Sequence, residues 1–558
     1  MLGNMRLSRP LFVLFVTIFF ACKKDGKEES VPEVEPFEFV SAAIDSKADS
    51  SLIFKEVGRQ PSVKLTFSSP LDVSSASSSV LFNEESGKGV QYSLTFEDQN
   101  RSMVVKPVLA LSSLSGYRLV VSEGLKAASG QTLEEGMSLY LNTRLDSADK
   151  FPRISDDELL TLVQRQTFKY FWDFAHPVSG LVRERNTSGE TVTSGGSGFG
   201  IMSIVVGVHR NFITRQEALV RMQRIVGFLK NKAQRFHGAF PHWLNGSTGD
   251  VQPFSAKDNG ADLVETSLLF QGLLTARQFF NGGDASETAL RNDINALWND
   301  VEWDWFTKDD GEVLYWHWSP DHNWDLNLPI RGWNEALITY VLAASSPEHG
   351  IAKSVYDKGW ANNGQLVNGN RYYDVILPLG PSNGGPLFFS QYSFLGLNPN
   401  GLRDVYADYG VQNKAHAMIN YRYCVANPKR FFGYSTECWG LTASDDINGY
   451  LAHEPNNDNG VISPTAALSS FPYTPEESMR ALKFFYYKLG DRVWKDYGFI
   501  DAFSLYEPWF ADSFLAIDQG PIIIMIENYR SGLLWNLFMS SPEIKTGLKT
   551  LGFTSPHI

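Results

Sequence analysis

Three stretches place carboxylates where an ordinary helix would not favour them. In residues 257–268, KDNGADLVETSL, Asp258, Asp262 and Glu265 recur at steps of four and three. On one helix they would share a face, and like charges there cost stability. Such a face needs a compensating partner: a base, a proton, a metal ion or sugar hydroxyls. The alternative is an acidic helix start with Asp258 as N-cap, favoured by the helix dipole. The second stretch, residues 517–535, is apolar on almost every side and reads as a buried helix. Glu527 and Arg530 within it need partners, in the simplest case each other. Asp518, just ahead of that helix, is either an N-cap or a carboxylate facing a pocket. The third stretch is Arg331-Gly-Trp333-Asn334-Glu335, early in a helical pattern. An Arg331–Glu335 pair at i, i+4 would lower the glutamate pKa. Burial against Trp333 or another carboxylate would raise it, as a general acid requires.

Carboxylates among flat aromatic faces suit sugar chemistry. The 558 residues include 14 Trp, 22 Tyr and 38 Phe, and every Trp falls between Trp172 and Trp535. Trp303, Trp305, Trp324, Phe388, Phe389 and Tyr392 crowd the acids. Contacts to sugar rings and hydroxyls are expected from Arg185, His242, Glu265, Trp316, His317, Trp318, Trp333, Asn334, Trp439, Gln519, Glu527 and Arg530. The histidines show no HExxH or similar spacing, and there is no GxSxG, P-loop or strand-led GxGxxG. No metal or cofactor is expected. Asp309-Asp310-Gly311-Glu312 is too short for a calcium loop and reads as a turn. A net charge of −13 without a basic run argues against nucleic acid as a partner. It also argues against lyases of acidic sugars, which need a basic cleft.

The elements that must hold these residues fall in two parts. Residues 36–145 alternate apolar and polar side chains in short runs, as in SVKLTF, YSLTF, SMVVKP and YRLVV. Period two between turn clusters predicts half-buried antiparallel strands and a β-sandwich. This part has no Trp and no acid pair, and reads as a spacer or packing module. Residues 150–558 carry repeated helix starts. Ser155–Glu158 and Thr214–Glu217 are capping boxes, and Ser463-Pro464, Thr474-Pro475 and Ser541-Pro542 place Pro at the first helical position. Thr474 with Glu477 combines both devices. Helices are expected near 198–212, 262–280, 285–298, 332–345, 402–424 and 520–538. Eleven or twelve helices over 409 residues suggest an all-α toroid of hairpins or an α-solenoid.

The segments LTFSSPLDVSS and MVVKPVLALSSLSGYRLVVSEGLKAASGQTL resemble bacterial Ig-like domains. TFKYFWDFAHPVSGLVRERN, GFGIMSIVVGVHR, GAFPHWLN, DNGADLVETSLLFQGLLTARQFF, IRGWNEALITYVLA, ECWGLTASD, PTAALSSFPYTPEES and IDQGPIIIMIENYRSGLLW span essentially all of 155–550. There the chain resembles the bacterial glucoamylase-like domain family and, within it, the β-1,2-glucanases of glycoside hydrolase family 144. The resemblance implies an (α/α)6 barrel and inverting hydrolysis of β-1,2-glucan. The matching acids are Asp258, Asp262 and Glu335, with Asp518 as a further candidate. Glu335 is expected to be the acid, and Asp262, Asp258 or Asp518 the base. The alternatives are an exo-acting hydrolase of another glucan and a non-catalytic glycan-binding lipoprotein.

Arg6 and Arg9, the apolar run over 11–20 and Ala21-Cys22 form a secretory signal of lipoprotein type. Residues 1–21 would be removed, Cys22 lipidated, and 22–35 would serve as a tether. A monomer anchored at the periplasmic or cell-surface side of the outer membrane is expected. In that oxidising compartment a Cys424–Cys438 bridge is open.

Overall fold

The computed structural model describes residues 35–308 and 311–558. The leader, Cys22, the tether up to residue 34 and Asp309-Asp310 lie outside the described residues. The chain divides into two compact units. One runs to Leu111 and resumes over Gly116–Leu141; the other comprises Ser112–Ser115 and Asn142–Ile558.

The first unit holds β1 (Phe39–Ile44), β2 (Lys47–Ala48), β3 (Ile53–Val57), β4 (Val63–Phe67), α1 (Val73–Ser79), β5 (Val80–Glu84), β6 (Tyr92–Glu97), β7 (Ser102–Pro107), β8 (Gly116–Val121) and β9 (Met137–Thr143). They form two sheets, β2-β1-β4-β7-β6 and β3-β9-β8-β5. Alternation buries Val63, Leu65 and Phe67 of β4, and Val63 and Leu65 sit opposite Val105 and Met103 of β7. These side chains share one core with Phe82, Leu119, Val121, Leu139 and Leu141 of the second sheet, so the unit is a two-layer sandwich. The four strands read from alternation are present, as β4, β6, β7 and β8. Edge strand β3 escaped that reading because it exposes Ile53, Lys55 and Glu56 and buries only Phe54 and Val57.

The second unit is helical. It contains α2 (Asp156–Trp172), α3 (Ser194–His209), α4 (Arg215–Asn231), α5 (Leu263–Phe279), α6 (Ala285–Asn299), α7 (Leu337–Ser345), α8 (Lys353–Lys358), α9 (Tyr409–Ala426), α10 (Pro464–Leu468), α11 (Pro475–Lys483), α12 (Gly490–Val493), α13 (Ala516–Ser531), α14 (Leu533–Met539) and α15 (Pro542–Leu551). Both expected capping boxes form. Thr474 does not cap: Pro475 starts α11, but the Thr474 hydroxyl donates back to Ser470 O. The expected helix over 520–538 is two helices, because Gly532 takes a left-handed conformation and ends α13.

Packing places α3 at the centre. A Cβ at Gly198 would sit 2.1 Å from Leu268 O, and one at Gly272 would sit 2.2 Å from Gly198 O. Glycine on both helices therefore lets the α3 and α5 backbones touch. α7 packs on α5, α15 on α7, and α13 returns from the end of the chain to pack on α3 and α2. No helix among the described residues is long and apolar enough to cross a membrane. Cys424 and Cys438 are buried free thiols, so the bridge left open by the sequence is not formed.

Candidate active site

Asp262 shows how the backbone builds the site. It is itself the N-cap of α5: its Oδ1 accepts from the N–H groups of Val264 (3.0 Å) and Glu265 (2.9 Å). The helix therefore starts after Asp262, and Asp258 lies in the preceding turn. This corrects both the shared helix face and the expectation that Asp258 would cap. The two-residue strand Ala261–Asp262 pairs antiparallel with His317–Trp318, setting His317 opposite Asp262. Asp262 Oδ2 lies 3.1 Å from His242 Nδ1 and 3.5 Å from His317 Nε2. His317 Nε2 is also 3.3 Å from Asp258 Oδ2. Glu265 accepts from the Gly195 N–H at 2.7 Å and the Thr193 hydroxyl at 3.2 Å, and stands 4.0 Å from His242 Nε2. The three acids do converge, through a cap and a strand pair.

Burial alone would protonate Asp262, but hydrogen bonds from His242 and His317 overcome it and hold the carboxylate well below its ordinary range. Burial works against the His242 cation, yet Glu265 and Asp262 lift it to about 9. Asp258 is pushed up to about 6 by burial and by the Asp262 charge. Glu265 is raised by burial, then by Asp262, against the opposing pull of His242.

Glu335 precedes α7 by two residues, so Arg331 is not one helical turn away and the expected ion pair does not form. Among the described residues no cation lies within salt-bridge distance of its carboxylate. The backbone carbonyl of Glu335 is pinned by the Ser393 hydroxyl. Burial pushes the Glu335 carboxyl up to about 7; its own N–H opposes this, and the charges of Glu265 and Asp262 add to it.

A second acidic group contains Asp518. It lies in the first turn of α13, not ahead of it, and is not the cap. Its carboxyl is electrostatically coupled to that of Asp501, and both residues are buried. Asp501 Oδ2 also accepts the Asp445 N–H at 2.6 Å. Arg185 pairs with Glu184 at 2.9 Å and with Asp445 at 3.2 Å. Burial first, then Asp501, holds Asp518 well above the carboxylate range, and burial pushes Asp501 up to about 7. Two such groups share a proton. Burial first, then the charges of Asp518, Tyr450, Glu335 and Glu265, raises the Tyr392 hydroxyl well above its ordinary value.

Several expected sugar contacts prove to be framework. Trp439 is fully buried and donates Nε1–H to Glu477 O. Trp333 is buried among Trp360, Phe394 and Tyr409. Asn334 folds back on its own turn, accepting from Ala336 N and donating to Arg331 O. Gln519 is buried and donates to Phe499 O. Glu527 and Arg530 do not pair with each other. Glu527 takes two bonds from Arg210, at 2.6 and 2.8 Å, while Arg530 bonds Asp157 and Gln164. These bonds tie α13 to α2 and to the C-terminal end of α3, where Arg210 is the C-cap. Trp316 and Trp318 remain partly open, Trp316 stacked on His317 and Trp318 packed edge-on to Trp305. Asp501, Asp445 and Phe254 were missed. Phe254 is half-exposed and stacks on His242 at 4.3 Å. The Asp445-Asp446 doublet was a visible signal; Asp501 and Phe254 had none.

A family model described as "Bacterial Ig-like domain" matches residues 36–141, and one described as "Putative glucoamylase" matches 327–542. A Bacteroides uniformis structure described as a "putative glucoamylase" is 57% identical, with a TM-score of 0.72 over 73% of this chain and 100% of that one. An endo-β-1,2-glucanase from Chitinophaga pinensis, in complex with sophorotriose and glucose, is 52% identical, with a TM-score of 0.71 over 73% of this chain and 100% of that one. A Parabacteroides distasonis exo β-1,2-glucooligosaccharide sophorohydrolase acting at the non-reducing end is 47% identical over 428 residues, 73% of this chain. The chain spans 59% of the length of that curated relative. With these similarities on the helical unit and the Ig-like match ahead of it, the chain belongs to the bacterial glucoamylase-like family that includes β-1,2-glucan hydrolases.

Proposed function

We propose that the helical unit hydrolyses β-1,2-linked glucan or its oligosaccharides with inversion at the anomeric carbon. Glu335 protonates the leaving oxygen, and the Asp518–Asp501 pair takes the proton of the attacking water. The observation that carries this reading is the Glu335 carboxyl, without a cationic partner and raised to about 7 by burial. At neutral pH it is substantially protonated, as a general acid must be. Inversion calls for a base on the face of the ring opposite the acid, and the raised Asp518–Asp501 pair of the other acidic group is assigned that role. As the C1–O bond breaks, the proton of Glu335 passes to the departing oxygen. Water bonds to C1 and loses its proton to the pair, so atoms and charge balance. Asp262, kept ionised by two imidazoles, accepts hydrogen bonds from sugar hydroxyls. Arg185 is paired with Glu184 and Asp445, and its charge lowers Asp501 and Asp518 without overcoming the effect of burial. The named activities of the two β-1,2-glucan-active relatives support the substrate.

The return of α13 onto α3, with α5 and α7 following α3 in sequence and packing, supports closure of the helices into an (α/α)6 toroid. We assign residues 36–145 and 150–558 to the two domains. The lipoprotein-type leader supports anchoring through Cys22 outside the cytoplasm; the monomer is our assignment. A Cys22→Ser chain that still takes up lipid label would contradict that anchor.

The test is purified protein against a panel of glucans, with product sizing and NMR of the first anomer released. Reducing ends from β-1,2-glucan, appearing first as the α-anomer, are expected. Turnover of another linkage alone, or binding without cleavage, would overturn the activity. A β-anomer would overturn inversion.

A further inference from the structure

His242, His317, Asp258 and Asp262 converge more tightly than two ion pairs need. Nδ1 of His242, Nε2 of His317, Oδ2 of Asp258 and Oδ2 of Asp262 are separated by 3.1, 3.3 and 3.5 Å along the three contacts that join them. Ligand atoms of His242, Asp258 and Asp262 all lie within 4.8 Å of one another. Zinc bonds of about 2.0–2.2 Å in a tetrahedron put neighbouring ligand atoms roughly 3.3–3.6 Å apart. Those three contacts are within a few tenths of an ångström of zinc-ligand spacing, and His317 flanks the mutually close group of His242, Asp258 and Asp262. We propose that these four residues form a binding site for a zinc-class divalent cation, a site separate in its chemistry from the hydrolytic step.

Three further observations support it. Asp258 is only 6% exposed and its Oδ1 is buried without a hydrogen-bond partner, a costly state that ligation through both carboxylate oxygens would relieve. The ligands are pre-oriented: Asp262 Oδ1 is fixed by two backbone N–H groups, leaving Oδ2 to face both imidazoles. His242 Nε2 stands 4.0 Å from Glu265, itself held by Gly195 and Thr193, so a carboxylate faces the imidazole nitrogen remote from the proposed ligand atom. Charge also balances, since a dication with two neutral imidazoles and two carboxylates sums to zero. Oxygen and imidazole ligands suit zinc and its first-row neighbours over calcium or magnesium. The half-exposed Phe254 on His242 marks the solvent side from which an ion would enter. A bound cation would cover the carboxylates offered to sugar hydroxyls, so zinc should inhibit reversibly.

The experiment titrates the purified full-length chain with zinc alone, by calorimetry and by competition with a chromophoric chelator. Cobalt(II) spectra in parallel report coordination number. One saturating equivalent and intense visible bands of a four-coordinate site are expected. Affinity should fall at least about tenfold in His317→Ala and in the shape-conserving Asp258→Asn. It should not change in His349→Ala, a histidine paired with Asp304 elsewhere. Circular dichroism checks that each variant is folded. No saturable binding, a six-coordinate spectrum, equal affinity in the two cluster variants, or loss in His349→Ala would overturn the site. Binding is read without substrate, so its outcome is independent of the hydrolytic reading.

Discussion

Glu335 and Glu527 are glutamates in two regions of the same helical unit, and their surroundings have opposite effects. At the seam of α13, α2 and α3, Glu527 receives Arg210 through two bonds, together with Ser531 and Gln164. Burial would raise it, but these partners hold it below the ordinary value. At the site, Glu335 has burial without a cation, plus the nearby charges of Glu265 and Asp262, and rises to about 7. Desolvation raises both, although Glu527 is fully buried and Glu335 half-buried. The cation decides whether a buried carboxylate is a strut or an acid.

The comparison breaks most visibly at Glu335. Glu335→Gln keeps shape and removes the transferable proton, so glucan turnover should fall about 10²–10⁴-fold, with KM far less affected. Steady-state kinetics check this, and parent-like turnover would remove the acid role. At the seam the loss is in stability. Arg210→Ala leaves Glu527 buried without its main partner and should destabilise by roughly 3–5 kcal/mol in chemical denaturation. Ser531 and Gln164 place it toward the low end of that range.

A third expectation is pH-dependent. The folded value of Glu335, about 7, exceeds its ordinary 4.5. The folded chain therefore binds the proton more tightly than the unfolded chain. That contribution is fully present below pH 4.5 and is lost as pH rises through 7. Glu335→Gln, neutral throughout, should thus gain relative stability across that window, on the order of 3 kcal/mol by its upper end. A constant difference from pH 4 to 8 would contradict the raised value. The smallest effect belongs to Arg331→Ala. Arg331 forms no pair with Glu335, so stability should move by less than about 0.5 kcal/mol, and the alkaline limb of the pH–rate profile should stay in place. A shift of that limb would revive the ion pair.

Much of this architecture is legible from local rules. Capping boxes, Pro at helix starts and two-residue alternation located most helices and the sandwich, because each is decided within a few residues. The Asp258–Asp262–Glu265 spacing marked the site for the same reason, although the helix begins after Asp262. Partners across the fold were not legible. Arg210 lies 317 residues from Glu527, and no local signal separates it from any other helix-end arginine. The Arg331–Glu335 pairing failed because it assumed a helix that begins only at Leu337. Trp439 and Trp333 looked like sugar platforms because sequence gives aromatic type without exposure. Asp501 went unseen because its role exists only beside Asp518.

The central claim is that Glu335 gives its proton to the leaving group. The direct test compares Glu335→Gln and Asp518→Asn on β-1,2-glucan oligosaccharide and on the matching glycosyl fluoride, whose departure needs no protonation. The account predicts that Glu335→Gln is severely impaired on the oligosaccharide and largely restored on the fluoride. Asp518→Asn should be impaired on both. Equal impairment of Glu335→Gln on both substrates, with restoration of Asp518→Asn by fluoride, would contradict the account and exchange the two roles.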